Sequence, residues 1–298
     1  MKVKATMMVS VLLTSVFTNI RAFGQASSGA SQSTSADSAL NPGVVSYTFR
    51  NEFQKDVPGT LDKIKALGII NIEFSSLFGQ SASGLRKLLD DRKMVCTSFG
   101  VTYPELVNNT AEVAANAKTL GAEFVRVAWV PHDDKQGFTI DDARKTVADF
   151  NKAGKLLKDG YGLTFCYHNH GYEFAKYEQG TLYDYIVNQT NPEYVSFELD
   201  VLWAFFGGAD PAELIRKYPG RYRLMHVKDL KKGIKGDLSG KTATDNDVAL
   251  GTGQVNIAEI IKAAKSSSIK YYYIEDESNN TGEQVPISIA YLKKALIN

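Results

Sequence analysis

Apolar and polar positions along this chain change period in a regular way. Short β-branched or aromatic runs alternate with longer stretches whose apolar residues recur at helical spacing, the pattern that selects a parallel sheet covered by helices. The runs at 44–49, 69–74, 94–99, 124–130, 163–167, 195–200, 222–228 and 271–275 predict strands. The stretches at 60–67, 82–92, 104–120, 139–158, 181–188, 211–217, 257–267 and 283–296 predict the helices between them. Border residues agree with this division. Thr139 precedes Asp141 and Asp142 at a positive helix end, Asp210 stands before Pro211, and Gly68, Gly121, Gly160 and Gly162 fall just past helix ends. Eight alternations predict an α/β fold, a single closed (β/α)8 TIM barrel over residues 42–298. No Gly-x-Gly-x-x-Gly follows the first run, which argues against an open dinucleotide-binding sheet.

The first residues do not fit the alternation. Lys2 and Lys4 precede an apolar run from Ala5 to Phe17, followed by small residues around Ala22 and Gly24, which reads as a signal peptide over 1–25. The run is shorter than the ~20 residues of a spanning helix, so no permanent membrane span is expected. Residues 26–41 are mainly Ser, Ala, Gly, Gln and Thr and read as a flexible linker. A secreted, periplasmic location is the expectation.

Composition adds exclusions. At 44% hydrophobic and 22% charged the chain suits a globular enzyme, and a formal charge of +1 offers no field for nucleic acid. A small molecule is the expected partner, and oligomeric state is not legible. The two cysteines, Cys96 and Cys166, fall in strands and read as buried thiols, not as a disulfide framework or a zinc site.

In a (β/α)8 barrel the chemistry gathers at the C-terminal ends of the strands. Here the ligand-type side chains concentrate on the last four: Tyr167-His168-Asn169-His170 with Glu173 beyond it, Glu198-Leu199-Asp200, His226-Val227-Lys228-Asp229, and Glu275-Asp276-Glu277. Strand periodicity lets His168, Asp200, His226 and Glu275, one per strand, converge. Two imidazoles and two carboxylates suit one divalent metal ion (Mn²⁺, Zn²⁺, Co²⁺ or Mg²⁺) with positions left for substrate. Glu73, at the end of the second strand, is able to touch substrate or to stand behind the site, and Glu173 is read with it as substrate-binding. Trp129 and Trp203 offer flat apolar faces for a sugar ring, or core packing. His132 reads as a loop residue.

The strings Ile72-Glu73-Phe74, Tyr167-His168-Asn169-His170-Gly171-Tyr172-Glu173-Phe174, Phe197-Glu198-Leu199-Asp200-Val201, Leu224-Met225-His226-Val227-Lys228-Asp229, Gly251-Thr252-Gly253 and Ile274-Glu275 carry a resemblance. The chain resembles the sugar phosphate isomerase/epimerase-like proteins of the xylose isomerase-like TIM barrel superfamily. That resemblance implies a metal held by Glu, Asp, His and Glu on successive strands, of which Asp200, His226 and Glu275 match. His168 stands where many members have the first Glu, and Gly100 where some have His. Because the two Glu residues move a proton across opposite faces of the substrate in the epimerases, the exchange at His168 bears on that chemistry.

The implied activity is a metal-dependent isomerase or epimerase acting on a sugar or keto-sugar through an enediolate. The ion acts as a Lewis acid, Glu275, His168 or His170 as the base, and Lys228 holds or protonates an oxygen. A lyase or dehydratase of a keto-sugar, keto-glycoside or inosose would use the same site, and a non-catalytic sugar-binding barrel is the alternative of another kind. The absence of a Gly-rich anion cradle points to a substrate without phosphate.

Overall fold

A computed structural model describes residues 42–297. The expected signal peptide and the expected linker lie outside the described residues, and no helix among the described ones is long and apolar enough to cross a membrane. Eight strands close into a parallel barrel in which each pairs with its sequence neighbours and the first with the last. They are β1 (Gly43–Val45), β2 (Asn71–Phe74), β3 (Val95–Val101), β4 (Phe124–Val127), β5 (Thr164–His168), β6 (Val195–Asp200), β7 (Tyr222–Val227) and β8 (Tyr271–Ile274). The covering helices are α1 (Val57–Ala66), α2 (Ala82–Arg92), α3 (Thr110–Leu120), α4 (Ile140–Tyr161), α5 (Leu182–Gln189), α6 (Pro211–Lys217), α7 (Ile257–Ala264) and α8 (Thr281–Ile297).

Capping chemistry sets the helix starts. Asp56, Ser81, Asp210 and Asn256 each accept a backbone N–H of the first turn, and Thr139 forms a reciprocal capping box with Asp142. Gly162 ends α4 at φ +67°, the left-handed conformation expected of it, whereas Gly160 lies inside the helix. The helix expected over 104–120 is two, Tyr103–Asn108 and α3, broken at Asn109. Strand one is also shorter than expected. After Val45 the chain turns into a 3-10 segment, Ser46–Phe49, in which Ser46, Thr48 and Phe49 are buried. The turn leaves Tyr47 41% exposed at the mouth.

Two small hairpins were not expected from the sequence. The pair Lys176–Tyr177 with Gly180–Thr181 lies before α5, and Asp229–Leu230 pairs antiparallel with Asp247–Val248 after β7. The second returns the long loop of residues 231–246 to the barrel, where Gly240, Lys241 and Thr242 line the mouth. Cys96 and Cys166 are free and buried. Burial pushes the Cys96 thiol up to about 12, so it is inert packing.

Candidate active site

The C-terminal mouth opens into a cavity of about 510 Å³. Its floor is where β5 to β8 deliver their last polar side chains. Backbone pairing sets Asp200 opposite His226, after a register shift between Phe197 and Glu198. Asn169 locks the ends of β5 and β6 together, its side chain exchanging hydrogen bonds of 3.0 Å with the backbone of Asp200. The Asp200 carboxylate is divided between two tasks. Oδ1 accepts from Trp203 N at 2.8 Å and so caps the short helix Val201–Phe206, which leaves Oδ2 directed at the cluster.

His168, Asp200, His226 and Glu275 come together as expected, one ligand atom from each lying within 4.8 Å of all the others. His168 Nε2 is 3.2 Å from His226 Nδ1 and 3.4 Å from Asp200 Oδ2. His226 Nδ1 is 3.1 Å from Glu275 Oε2 and 3.9 Å from Asp200 Oδ2. Ligands ~2.0–2.1 Å from a tetrahedral ion stand ~3.4 Å apart, the scale of these separations. Asp200 Oδ2 is buried without a hydrogen-bond partner, and burial raises its carboxyl above the usual range, a cost that a bound cation would relieve. The four residues therefore fit a divalent ion.

Burial and mutual charge set the protonation of the cluster. Burial, then the neighbouring charge of His226, holds His168 well below its ordinary value, so its ring is neutral and has a lone pair to offer. Burial alone would lower His226 too, but the carboxylates of Glu198, Glu275 and Glu73 outweigh it and hold it well above, so a bound cation would have to take the place of one of its protons. Burial opposes ionisation of Glu275, and Lys228 and His226 overcome that, keeping its carboxyl well below the usual range.

Of the other expected residues, His170 reaches the cavity. Its Nδ1 is 2.7 Å from the Ala128 carbonyl, which fixes the proton there and leaves Nε2 with its lone pair, and its ring stacks on Trp203 at 5.4 Å. Burial, with His168 beside it, lowers its pKa to about 3. Trp129 is half-buried in the cavity wall, with His132 stacked on it at 5.2 Å. Trp203 also lines the cavity but is only 5% exposed and is chiefly core.

Three expectations need correction. Glu73 and Glu173 are fully buried and neither lines the cavity, Glu73 taking the other place expected of it, behind the site. Glu173 accepts from the Tyr167 hydroxyl and from His170 N at 3.0 Å, so it shapes the turn that carries His170. Glu73 lies beneath the cluster, paired with Arg126. Lys228, expected to meet a substrate oxygen, is 1% exposed and sits behind the cavity wall, 2.6 Å from Glu277 and 3.2 Å from Glu275. Arg126 was missed, and Glu198 was noted beside Asp200 without being given a role. The signal for Arg126 was a charge inside the apolar run Phe124-Val125-Arg126-Val127, and for Glu198 a face shared with Asp200.

The model of the family described as xylose isomerase-like TIM barrel matches residues 61–295. The chain belongs to this family. Among solved members and relatives, a sugar phosphate isomerase/epimerase from Parabacteroides distasonis ATCC 8503 superposes with a TM-score of 0.70 at 26% identity, over 85% of this chain and 95% of that one. The IOLI protein with a bound zinc atom superposes at 0.66, over 86% of this chain and 96% of that one, and at 14% identity shares the fold alone. The inosose dehydratase 2 of Bacillus cereus is 24% identical over 172 residues, 55% of this chain and 56% of that enzyme. The inosose dehydratase of Geobacillus kaustophilus is 23% identical over 230 residues, 66% and 73% of the two chains. The chain thus spans little more than half the length of the first of these curated relatives. The family's eight-stranded parallel barrel is the one observed here.

Proposed function

We propose that this family member is a metal-dependent enzyme that removes a proton beside the carbonyl of an uncharged keto-sugar or inosose-type ring and expels a neighbouring oxygen, a dehydratase or lyase. The observation that carries the proposal is the four-donor cluster on the cavity floor, with the unpartnered Asp200 oxygen inside it and His170 Nε2 opening on the same cavity. Asp200, His226, Glu275 and His168 would hold the ion, which when bound supplies Lewis-acid stabilisation of the developing enolate charge. The zinc named for the IOLI protein supports zinc among the candidates.

The residues themselves support one-sided proton transfer. His168 takes the place of a carboxylate, so the cluster lacks the second Glu that a two-faced exchange would use. His170 is neutral at pH 7 and its Nε2 is a free acceptor. It accepts the C–H proton and returns it to the departing hydroxyl, releasing water and leaving a double bond conjugated to the carbonyl. Trp129 offers the apolar face on which a ring lies, and the Gly240–Thr242 segment stands beside it at the mouth, with Lys241 Nζ 5.8 Å from the indole.

An uncharged substrate follows from the cations of the cavity wall. Arg126 is bound to Glu73, and Lys241, at the exposed rim, is paired with Asp134 at 2.5 Å, which supports a substrate without phosphate. An exported enzyme would meet sugars without phosphate, in keeping with this. A second reading, aldose–ketose isomerisation, uses the same first step with the proton returned to the neighbouring carbon. It is favoured by the likeness to the Parabacteroides distasonis isomerase/epimerase.

The test is to load the purified chain with Zn²⁺, Co²⁺ or Mn²⁺ and follow inososes and keto-sugars in D₂O by NMR and ultraviolet absorbance. Enone absorbance with loss of one hydroxyl is expected. An isomer carrying no new absorbance selects the second reading. Protein that holds no ion and gives no heat on ion addition leaves only a sugar-binding barrel.

A further inference from the structure

Below the ligand cluster the barrel interior carries a second polar layer that the proposed reaction does not use. Glu73 from β2, Arg126 from β4 and Glu198 from β6 meet there, all buried. Arg126 donates from Nε at 2.9 Å and from Nη2 at 2.6 Å to the same oxygen of Glu73, and its Nε lies 3.3 Å from Glu198 Oε2. Glu73 Oε1 is in turn 2.9 Å from His226 Nε2, and Glu198 Oε2 is 3.2 Å from it. Space for the guanidinium comes from Gly100, where an added Cβ would stand 2.8 Å from Arg126 Nη2 and 3.2 Å from the Phe74 carbonyl oxygen.

His226 thus stands between two layers, with Nε2 on the lower carboxylates and Nδ1 facing His168, Asp200 and Glu275. A neutral imidazole has one N–H and one lone pair, and the acceptor at one nitrogen decides which end is free to bind an ion. We infer that Glu73 is the positioning residue of the metal centre. It takes the Nε2 proton of His226 and so commits the Nδ1 lone pair to the ion. Arg126, donating from Nε and Nη2 to that same oxygen, fixes its direction. The lower layer is not a second metal site, although Glu73, Glu198 and His226 converge closely enough, because Arg126 already supplies its cation. The inference rests on the metal reading above.

Cobalt and zinc affinities of the full chain test it, measured by competition with a chelating dye for the wild type, Glu73→Ala and Glu73→Gln. Loss of the acceptor in Glu73→Ala should weaken both ions by roughly 10- to 100-fold, while Glu73→Gln, whose amide oxygen still accepts Nε2–H, should stay within about threefold. The wild type also gives an answer free of any folding defect. With four histidines in the sequence, long-range ¹H–¹⁵N spectra of the zinc-loaded protein can be assigned, and His226 should show a protonated Nε2. A protonated Nδ1 there, or a Glu73→Ala variant with unchanged affinity, overturns the inference alone. A wild type that binds neither ion overturns the metal reading and this inference with it.

Discussion

The ammonium of Lys228 lies 3.2 Å from Oε2 of Glu275, the oxygen that also meets His226, and does not itself line the cavity. Glu277 at 2.6 Å and Asp247 at 3.6 Å complete its surroundings, and the Trp203 ring lies 5.4 Å from it. A fully buried lysine with three carboxylates around it is a counter-charge. It lets Glu275 stay ionised in a place where burial alone would protonate it.

Lys228→Met keeps the length of the side chain and removes the charge, leaving Glu275, Glu277 and Asp247 to repel one another. The variant should lose about 3–5 kcal/mol of stability, as expected when one partner of a buried ion network is removed. It should lose turnover without a rise in KM, since Lys228 does not reach the cavity. Urea unfolding at pH 7 decides the first point, and a variant within about 1 kcal/mol of the wild type would show that the network is dispensable.

His168 is the donor that departs from the set implied by the resemblance, and its neutral nitrogen should bias the site towards ions that favour imidazole. His168→Glu replaces it with a hard anionic oxygen. Preference should shift from Zn²⁺ and Co²⁺ towards Mn²⁺ and Mg²⁺, by about tenfold in relative affinity. The same variant restores a second Glu beside the ion, so deuterium exchange at a substrate carbon without elimination is the expected change in reaction. An unaltered order of ion affinities would mean that His168 is not a ligand.

The barrel and the four donors were legible because both depend on periodicities that the sequence carries openly. Apolar runs mark strands, and a strand has two faces, so His168, Asp200, His226 and Glu275 could be placed on one rim before any coordinates. What was not legible depends on side-chain direction and on distant partners. Glu173 follows a conspicuous histidine pair, yet the turn at Gly171 folds its carboxylate inward under His170 N. Lys228 shares a strand face with His226, but β7 ends at Val227 and the next residue already faces the hairpin formed with Asp247–Val248. Arg126 could be interpreted only once Glu73, more than fifty residues earlier, was known to meet it.

Glu173 gives a pH signature. Burial raises its carboxyl to about 7, despite the hydrogen bonds from Tyr167 and His170 N that oppose the shift. The folded state therefore holds the proton more tightly than the unfolded chain, whose Glu titrates near its ordinary value of 4.5. Stability from this group is fully present below that value and is lost as pH rises through about 7. Glu173→Gln cannot ionise and should flatten this part of the profile, with a melting temperature that gains on the wild type between pH 5 and 8. Parallel wild-type and variant curves across that window would mean that Glu173 does not titrate there.

The two tryptophans of the cavity should separate binding from folding. Trp129 is half-buried, backed by His132 and edge-on to Tyr172 at 4.9 Å, so the pocket around it survives truncation of the indole. Trp129→Ala should raise KM for a keto-sugar by about 2- to 10-fold, the worth of one ring face, with little change in melting temperature. Trp203 is 5% exposed and supports both His170 and Lys228. Trp203→Ala should cost about 3–5 kcal/mol of stability and lower kcat more than it raises KM, because the ring that orients His170 is gone. Calorimetric melting alongside steady-state kinetics distinguishes the pair. Equal effects of the two substitutions on KM, with both proteins as stable as the wild type, would place Trp203 among the substrate-contacting residues and remove it from the core.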